Sequence, residues 1–150
     1  MTVPWSPVPS PDGVKATSWR VKWLVSLATA ASPSDRSRFF DAVLDTGAMW
    51  TTFTEDVAHA AGIDEITSGP ATTVRWFGTS HKAWSHRITL QIFIEAGLVD
   101  SITISEIDAL FVRNFMHAAT GRPVSLAVLG MDAVSRLQLT LDGPAAATRF

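Results

Sequence analysis

The sequence predicts an all-β fold, on three observations. Apolar residues recur with a period of two along most of the chain, only two stretches suit short helices, and no βαβ rhythm is present. A barrel or a sandwich fits that pattern, and 150 residues are the size of one domain.

Taken in order, residues 1–16 carry Pro4, Pro7, Pro9 and Pro11 and read as a flexible, polyproline-like arm outside helix and sheet ladders alike. Trp19, Val21, Trp23, Val25 and Leu27 alternate with Arg20, Lys22 and Ser26, which predicts a half-buried strand over residues 17–29. Basic residues before this run make it imitate a signal peptide, but its period of two favours the strand. A Ser/Pro turn follows at residues 31–35, and the apolar run from Phe39 to Asp45 reads as a buried strand entering a turn. Thr52 or Thr54 can cap a short helix through Glu55, Val57 and Ala58, which Gly62 is placed to stop.

Residues 72–94 read as a long hairpin. Val74 and Trp76 share one face, Gly78, Thr79 and Ser80 supply the turn, and Ile88, Leu90, Ile92 and Ile94 alternate on the return. Ile102 and Ile104 begin a further strand, residues 109–112 make another, and residues 126–129 form an apolar run closed by Gly130. Residues 131–136 suit one or two helical turns, and Leu137, Leu139 and Leu141 mark a last strand. The ordered domain is therefore expected over residues 17–142, with a small polar tail at 143–150.

Composition removes several function classes. There is no cysteine, so disulfides, thiolate metal sites and a cysteine nucleophile are excluded. A net charge of −2 gives no broad footprint for nucleic acid or an anionic membrane. No segment approaches the roughly 20 apolar residues of a membrane helix, so a cytoplasmic protein is the default expectation. Charged residues make up 17%, below the usual figure of about 25%, as a covered oligomer interface would leave. His59, His81, His86 and His117 show no metal-ligand spacing, and neither a metal nor another cofactor is expected. A Gly-x-Ser-x-Gly elbow and a phosphate-binding glycine loop are both missing. The six tryptophans fall mostly on strand positions, where they suit a core or an interface.

The central signal is Ala42-Val43-Leu44-Asp45-Thr46-Gly47-Ala48. A carboxylate straight after buried β residues is costly unless it is paired or hydrogen-bonded. The hydroxyl and the glycine that follow let backbone N–H groups approach it. The same tripeptide also serves as an ordinary tight turn, with Asp and Gly in turn roles.

In three places the chain resembles the retropepsin-like aspartic proteases. Residues 40–48, with residues 51–62 behind them, are similar to the active-site loop and following helix of that family. The hairpin around Trp76, Phe77, Gly78, Thr79 and Ser80 looks like the flap that closes over substrate, although it carries one glycine where many relatives have more. Ala127-Val128-Leu129-Gly130-Met131-Asp132 is similar to the family's second apolar-apolar-Gly signature. The resemblance covers about residues 17–142 and implies a closed, mostly antiparallel barrel of the acid-protease type with one or two short helices.

It also implies an aspartic endopeptidase acting on a peptide or protein substrate. Peptide hydrolysis by carboxylates needs two of them sharing a proton. The sequence has a single Asp-Thr-Gly; Asp132 falls at a helix start, and Asp142-Gly143 lacks the hydroxyl. The second carboxylate is therefore expected from another copy of the chain, in a two-fold homodimer. In that reading Asp45 is catalytic, Thr46 bonds across the two-fold, and Gly47 lets the backbone approach the carboxylate. Ala48 completes the loop, Gly130 lets an apolar segment pack under it, and Trp76, Phe77, Gly78 and Thr79 form the substrate-binding flap. The competing expectations are a non-catalytic module of the same fold that binds extended peptides or mediates dimerisation, and an unrelated β-barrel in which Asp45 makes a turn.

Overall fold

A computed structural model describes residues 2–4, 6–8, 18–20, 22–29, 39–76, 78–93, 101–116, 120–137, 140–142 and 147–149. Its first strands are β1 (Thr2–Pro4), β2 (Ser6–Val8), β3 (Ser18–Arg20), β4 (Lys22–Thr29), β5 (Phe40–Leu44) and β6 (Thr52–Thr54). Helix α1 (Glu55–Ala60) and a 3-10 turn (Ile66–Ser68) precede β7 (Ala71–Trp76), β8 (Thr79–Phe93), β9 (Ser101–Val112) and β10 (Ala127–Leu129). Helix α2 (Met131–Val134), β11 (Thr140–Asp142) and β12 (Ala147–Arg149) complete the order.

The main sheet runs β4-β5-β10-β6-β9-β8-β7, and it curls so strongly that β4 also pairs with β8. The chain is mostly β with short helices, as the alternation predicts. Most pairings are antiparallel, as expected, but the expectation of a closed barrel needs correction, because the sheet is open and mixed. β10 runs parallel to β5, β6 runs parallel to β9, and β7 stays a free edge among the described strands. Apolar periodicity reports which face a strand buries, but it carries no information about strand direction.

The larger of two buried clusters among the described residues fills the curl. Phe53 and Phe111 are fully buried with ring centroids 5.5 Å apart, and each such side chain contributes about 1.5–3 kcal/mol. Ile88, Leu90 and Ile92 are buried from β8, as their alternation predicts, while Ile94 lies outside the described residues. Helix α1 adds Val57 and Ala58, and α2 adds Ala133 and Val134. At the end of α1, Gly62 adopts φ +77°, and the Ile63 N–H reaches the Ala58 carbonyl at 2.9 Å, which is the stop that the sequence predicts. Thr54 occupies the cap position without capping. Its hydroxyl instead donates to Asp56 Oδ1 at 2.6 Å and accepts from the Leu126 N–H at 2.8 Å.

Two further expectations are revised. Residues 101–112 form one strand where two were expected, because a bulge near Glu106 (φ +54°) shifts the register between Ile88 and Leu90 and re-phases the apolar pattern. The prolines do not keep the N-terminal arm out of ladders either. Pro4 lies opposite Ala147 on the edge strand β1, and Pro7 lies opposite Trp19 in the two-stranded β2–β3 sheet. An edge strand tolerates a residue with no N–H to give. The predicted strand over residues 17–29 is likewise split, into β3 and β4 of separate sheets.

Candidate active site

β5 delivers Asp45, and β6 carries the chain back, but the two strands are not paired with each other. β10 lies between them, parallel to β5 and antiparallel to β6. The loop of residues 45–51 must therefore arch over the end of β10, where Gly130 sits. A Cβ at Gly130 would lie 2.4 Å from the Trp50 carbonyl carbon and 2.8 Å from the Thr51 nitrogen. No side chain fits there.

Backbone hydrogen bonds fasten the arch at both ends. The Asp45 N–H donates to the Leu129 carbonyl at 3.0 Å, and the Met131 N–H donates to the Ala48 carbonyl at 2.8 Å. Beneath them Asp132 Oδ1 accepts from the Thr51 N–H at 2.8 Å, the Thr51 hydroxyl at 2.7 Å and the Ala133 N–H at 2.8 Å. The Thr51 hydroxyl in turn accepts from the Gly130 N–H at 3.1 Å. Asp132 is thus committed to structure, with its Oδ2 buried and unpartnered, and it is not presented as a second reactive carboxylate. The sequence reading weighs Asp132 only as a second carboxylate and gives Thr51 no role, so their mutual hydrogen bonding beneath the loop is missed.

Above the arch, Asp45 is exposed, and its Oδ1 accepts the Gly47 N–H at 2.9 Å. A Cβ at position 47 would come within 3.2 Å of that oxygen, so a side chain there would have to push Oδ1 aside by a few tenths of an ångström. Thr46 is exposed, and its hydroxyl has no partner among the described residues. Ala48 is half-buried, its N–H closing the turn onto the Asp45 carbonyl at 3.1 Å.

Two clefts meet at Asp45. One, of about 390 Å³, has apolar walls of Val43, Leu44, Leu126 and Val128. The other, of about 360 Å³, runs past Gly47 and Ala48 to Met49 and Trp50. Asp45, Arg75 and Trp76 line both. The β7–β8 hairpin that was read as a flap therefore does border the Asp45 loop. Trp76 stacks edge-on against Phe115, with centroids 5.1 Å apart, and packs on the small cluster of Ala83, Leu110 and Val112. Phe77 lies outside the described residues. Thr79 pairs with Trp76 within the ladder, so Thr79 and Ser80 belong to the returning strand and not to the turn that was expected there. Sequence reasoning missed Met49, Trp50 and Arg75 as groove residues, since loop curvature and the sheet's curl bring them together.

Gly78 has φ +80° and no atom within 4 Å of where a Cβ would be. Gly78→Val is therefore expected to strain the hairpin tip without disturbing the core. If the tip closes on substrate, KM rises about fivefold, equivalent to about 1 kcal/mol, and the melting temperature moves by only a few degrees. A large drop in melting temperature with KM unchanged would make Gly78 a purely structural position.

The histidines do different work. His86 Nε2 lies 2.6 Å from the Ile66 carbonyl, and His81 stacks edge-on against Phe115. No group of three or more potential metal ligands occurs among the described residues. Away from the clefts, the Arg87 hydrogen bond holds the Asp108 carboxyl below the usual carboxylate range, across the β8–β9 pair.

No protein-family model matches the sequence, and no curated protein matches it either. Among solved structures, the chain is similar to the crystal structure of a retropepsin-like aspartic protease from Rickettsia conorii. The TM-score is 0.54 and the sequence identity 14%, over 99% of this chain and 97% of that one. At that identity the likeness is one of fold: the chain has the strongly curled, mixed, retropepsin-like sheet with short helices.

Proposed function

We propose that the chain is one subunit of a homodimeric aspartic endopeptidase. The observation that carries this reading is the exposed Asp45 carboxylate, held by the Gly47 N–H on a loop fastened at both ends, where two clefts meet. With Asp132 engaged in structural hydrogen bonds, the partner carboxylate is Asp45 of a second copy, brought opposite the first by a two-fold axis.

Two carboxylates about 3 Å apart hold one proton between them. The ionised one removes a proton from a water lying between them, and the water oxygen bonds to the peptide carbonyl carbon. The protonated one gives its proton to the carbonyl oxygen, so a neutral tetrahedral diol forms. Its collapse breaks the C–N bond as the nitrogen takes up a proton, releasing a carboxylic acid and an amine and restoring the shared proton. The exposed Thr46 hydroxyl is free to bond across the two-fold, and the β7–β8 hairpin covers the substrate.

Dilution tests this. Hydrolysis of a quenched fluorescent peptide library is expected to fall per subunit once the concentration drops below the dimer dissociation constant. Activity per subunit that stays flat while sedimentation shows monomer would exclude a shared site.

A further inference from the structure

Arg75 has no assigned part in that chemistry, yet it stands where the two clefts join. On β7 it alternates with Val74 and Trp76, which pack toward Leu110 and Val112, so its side chain belongs to the opposite, exposed face. Its cross-strand neighbour is Ser80, which carries no charge. Asp45 is the one carboxylate that lines the same clefts, while Glu55 and Asp108 make their ion pairs with other arginines, Arg113 and Arg87. Among the described residues Arg75 has no ion-pair partner.

The other groove-lining side chains are apolar or neutral, apart from Asp45 itself. In a two-fold dimer, two Arg75 guanidiniums would stand against a carboxylate pair that holds one proton, so the groove is net positive. A planar guanidinium with five donors matches a carboxylate in a forked, two-bond geometry. Met49 and Trp50, 68% and 50% exposed, give the same cleft a broad apolar wall.

We propose that Arg75 makes the groove selective for extended peptides carrying an Asp or Glu side chain close to the bond that is cut, beside large apolar residues. This rests on the reading that Asp45 marks the cleavage point. Arg75 and Asp45 line the same two clefts, and an extended chain advances about 3.3 Å per residue, so the acidic side chain falls within one to three residues of that bond.

The test uses the full chain and three octapeptides with Leu-Phe at the centre, which differ only in Glu, Gln or Lys two residues before it. Wild type is expected to cut the Glu peptide about fivefold faster in kcat/KM than the Gln peptide, with the Lys peptide slowest. Arg75→Glu reverses the order and Arg75→Lys preserves it. An unchanged order in Arg75→Glu overturns the proposal. Fluorescence anisotropy of the same labelled peptides separates this proposal from the hydrolytic reading. Binding in the order Glu, Gln, Lys without any cleavage would sustain Arg75 recognition and defeat hydrolysis. Binding that ignores the charge, or no binding of any of the three, would overturn Arg75 recognition whatever the chemistry.

Discussion

Asp45→Asn is expected to lower kcat for peptide cleavage by about a thousandfold or more, because it removes the group that takes the proton from water and later returns one. The same substitution should barely change stability. The side chain is exposed, and an amide oxygen at the same position still accepts the Gly47 N–H that now reaches Oδ1 at 2.9 Å. The backbone ties of the loop, from Asp45 to Leu129 and from Met131 to Ala48, involve no side chain and remain. Dimerisation should hold or tighten, since two amides facing each other have no charge to share. The measurement is a pair of curves on one preparation, hydrolysis rate and thermal unfolding. Hydrolysis at the wild-type rate would remove Asp45 from the chemistry. Equal loss of activity and of folded protein would make it structural. The separation of the two effects is what a reactive carboxylate on a loop fastened by its backbone requires.

The parts of this site legible in the sequence are those encoded by neighbours in the chain. Asp45 follows Ala42, Val43 and Leu44, the buried and half-buried end of β5, and its glycine stands two places on, so turn chemistry and burial are both readable locally. Gly62 shows as a helix stop for the same reason, and Ile88, Leu90 and Ile92 show as one face of a strand. What was not legible depends on contacts between distant residues. The insertion of β10 between β5 and β6 pairs Val43 with Val128 in parallel, and no local periodicity distinguishes that from an antiparallel neighbour. The bulge near Glu106 breaks the alternation that would have joined residues 101–112 into one strand. Thr51 reads as one more polar residue until Asp132 arrives beside it from 81 positions away. Arg75 gains meaning only when the curl of the sheet brings β7 to the Asp45 loop.

The same insertion predicts the largest effect on stability, at a residue that never touches substrate. Gly130→Ala adds one methyl group, and its carbon would lie 2.4 Å from the carbonyl carbon of Trp50, 2.6 Å from the carbonyl oxygen and 2.8 Å from the Thr51 nitrogen. All three are backbone atoms, so no rotamer change relieves the overlap. The arch must lift. Lifting it stretches the Gly130 N–H bond to the Thr51 hydroxyl and pulls Thr51 away from Asp132 Oδ1, leaving part-buried donors and a carboxylate short of partners. Overpacking of this kind with loss of charged hydrogen bonds costs about 3–5 kcal/mol, which lowers the melting temperature by about 10–15 °C in a chain of this length. Gly121→Ala is the control. It has φ +61° and open space around it, so its cost is limited to backbone strain of about 1–2 kcal/mol. Because the arch carries Asp45, activity in Gly130→Ala should fall even at temperatures where the protein remains folded, whereas Gly121→Ala should keep it. If Gly130→Ala melts within a degree or two of wild type, the loop does not rest on β10 in the way these distances require.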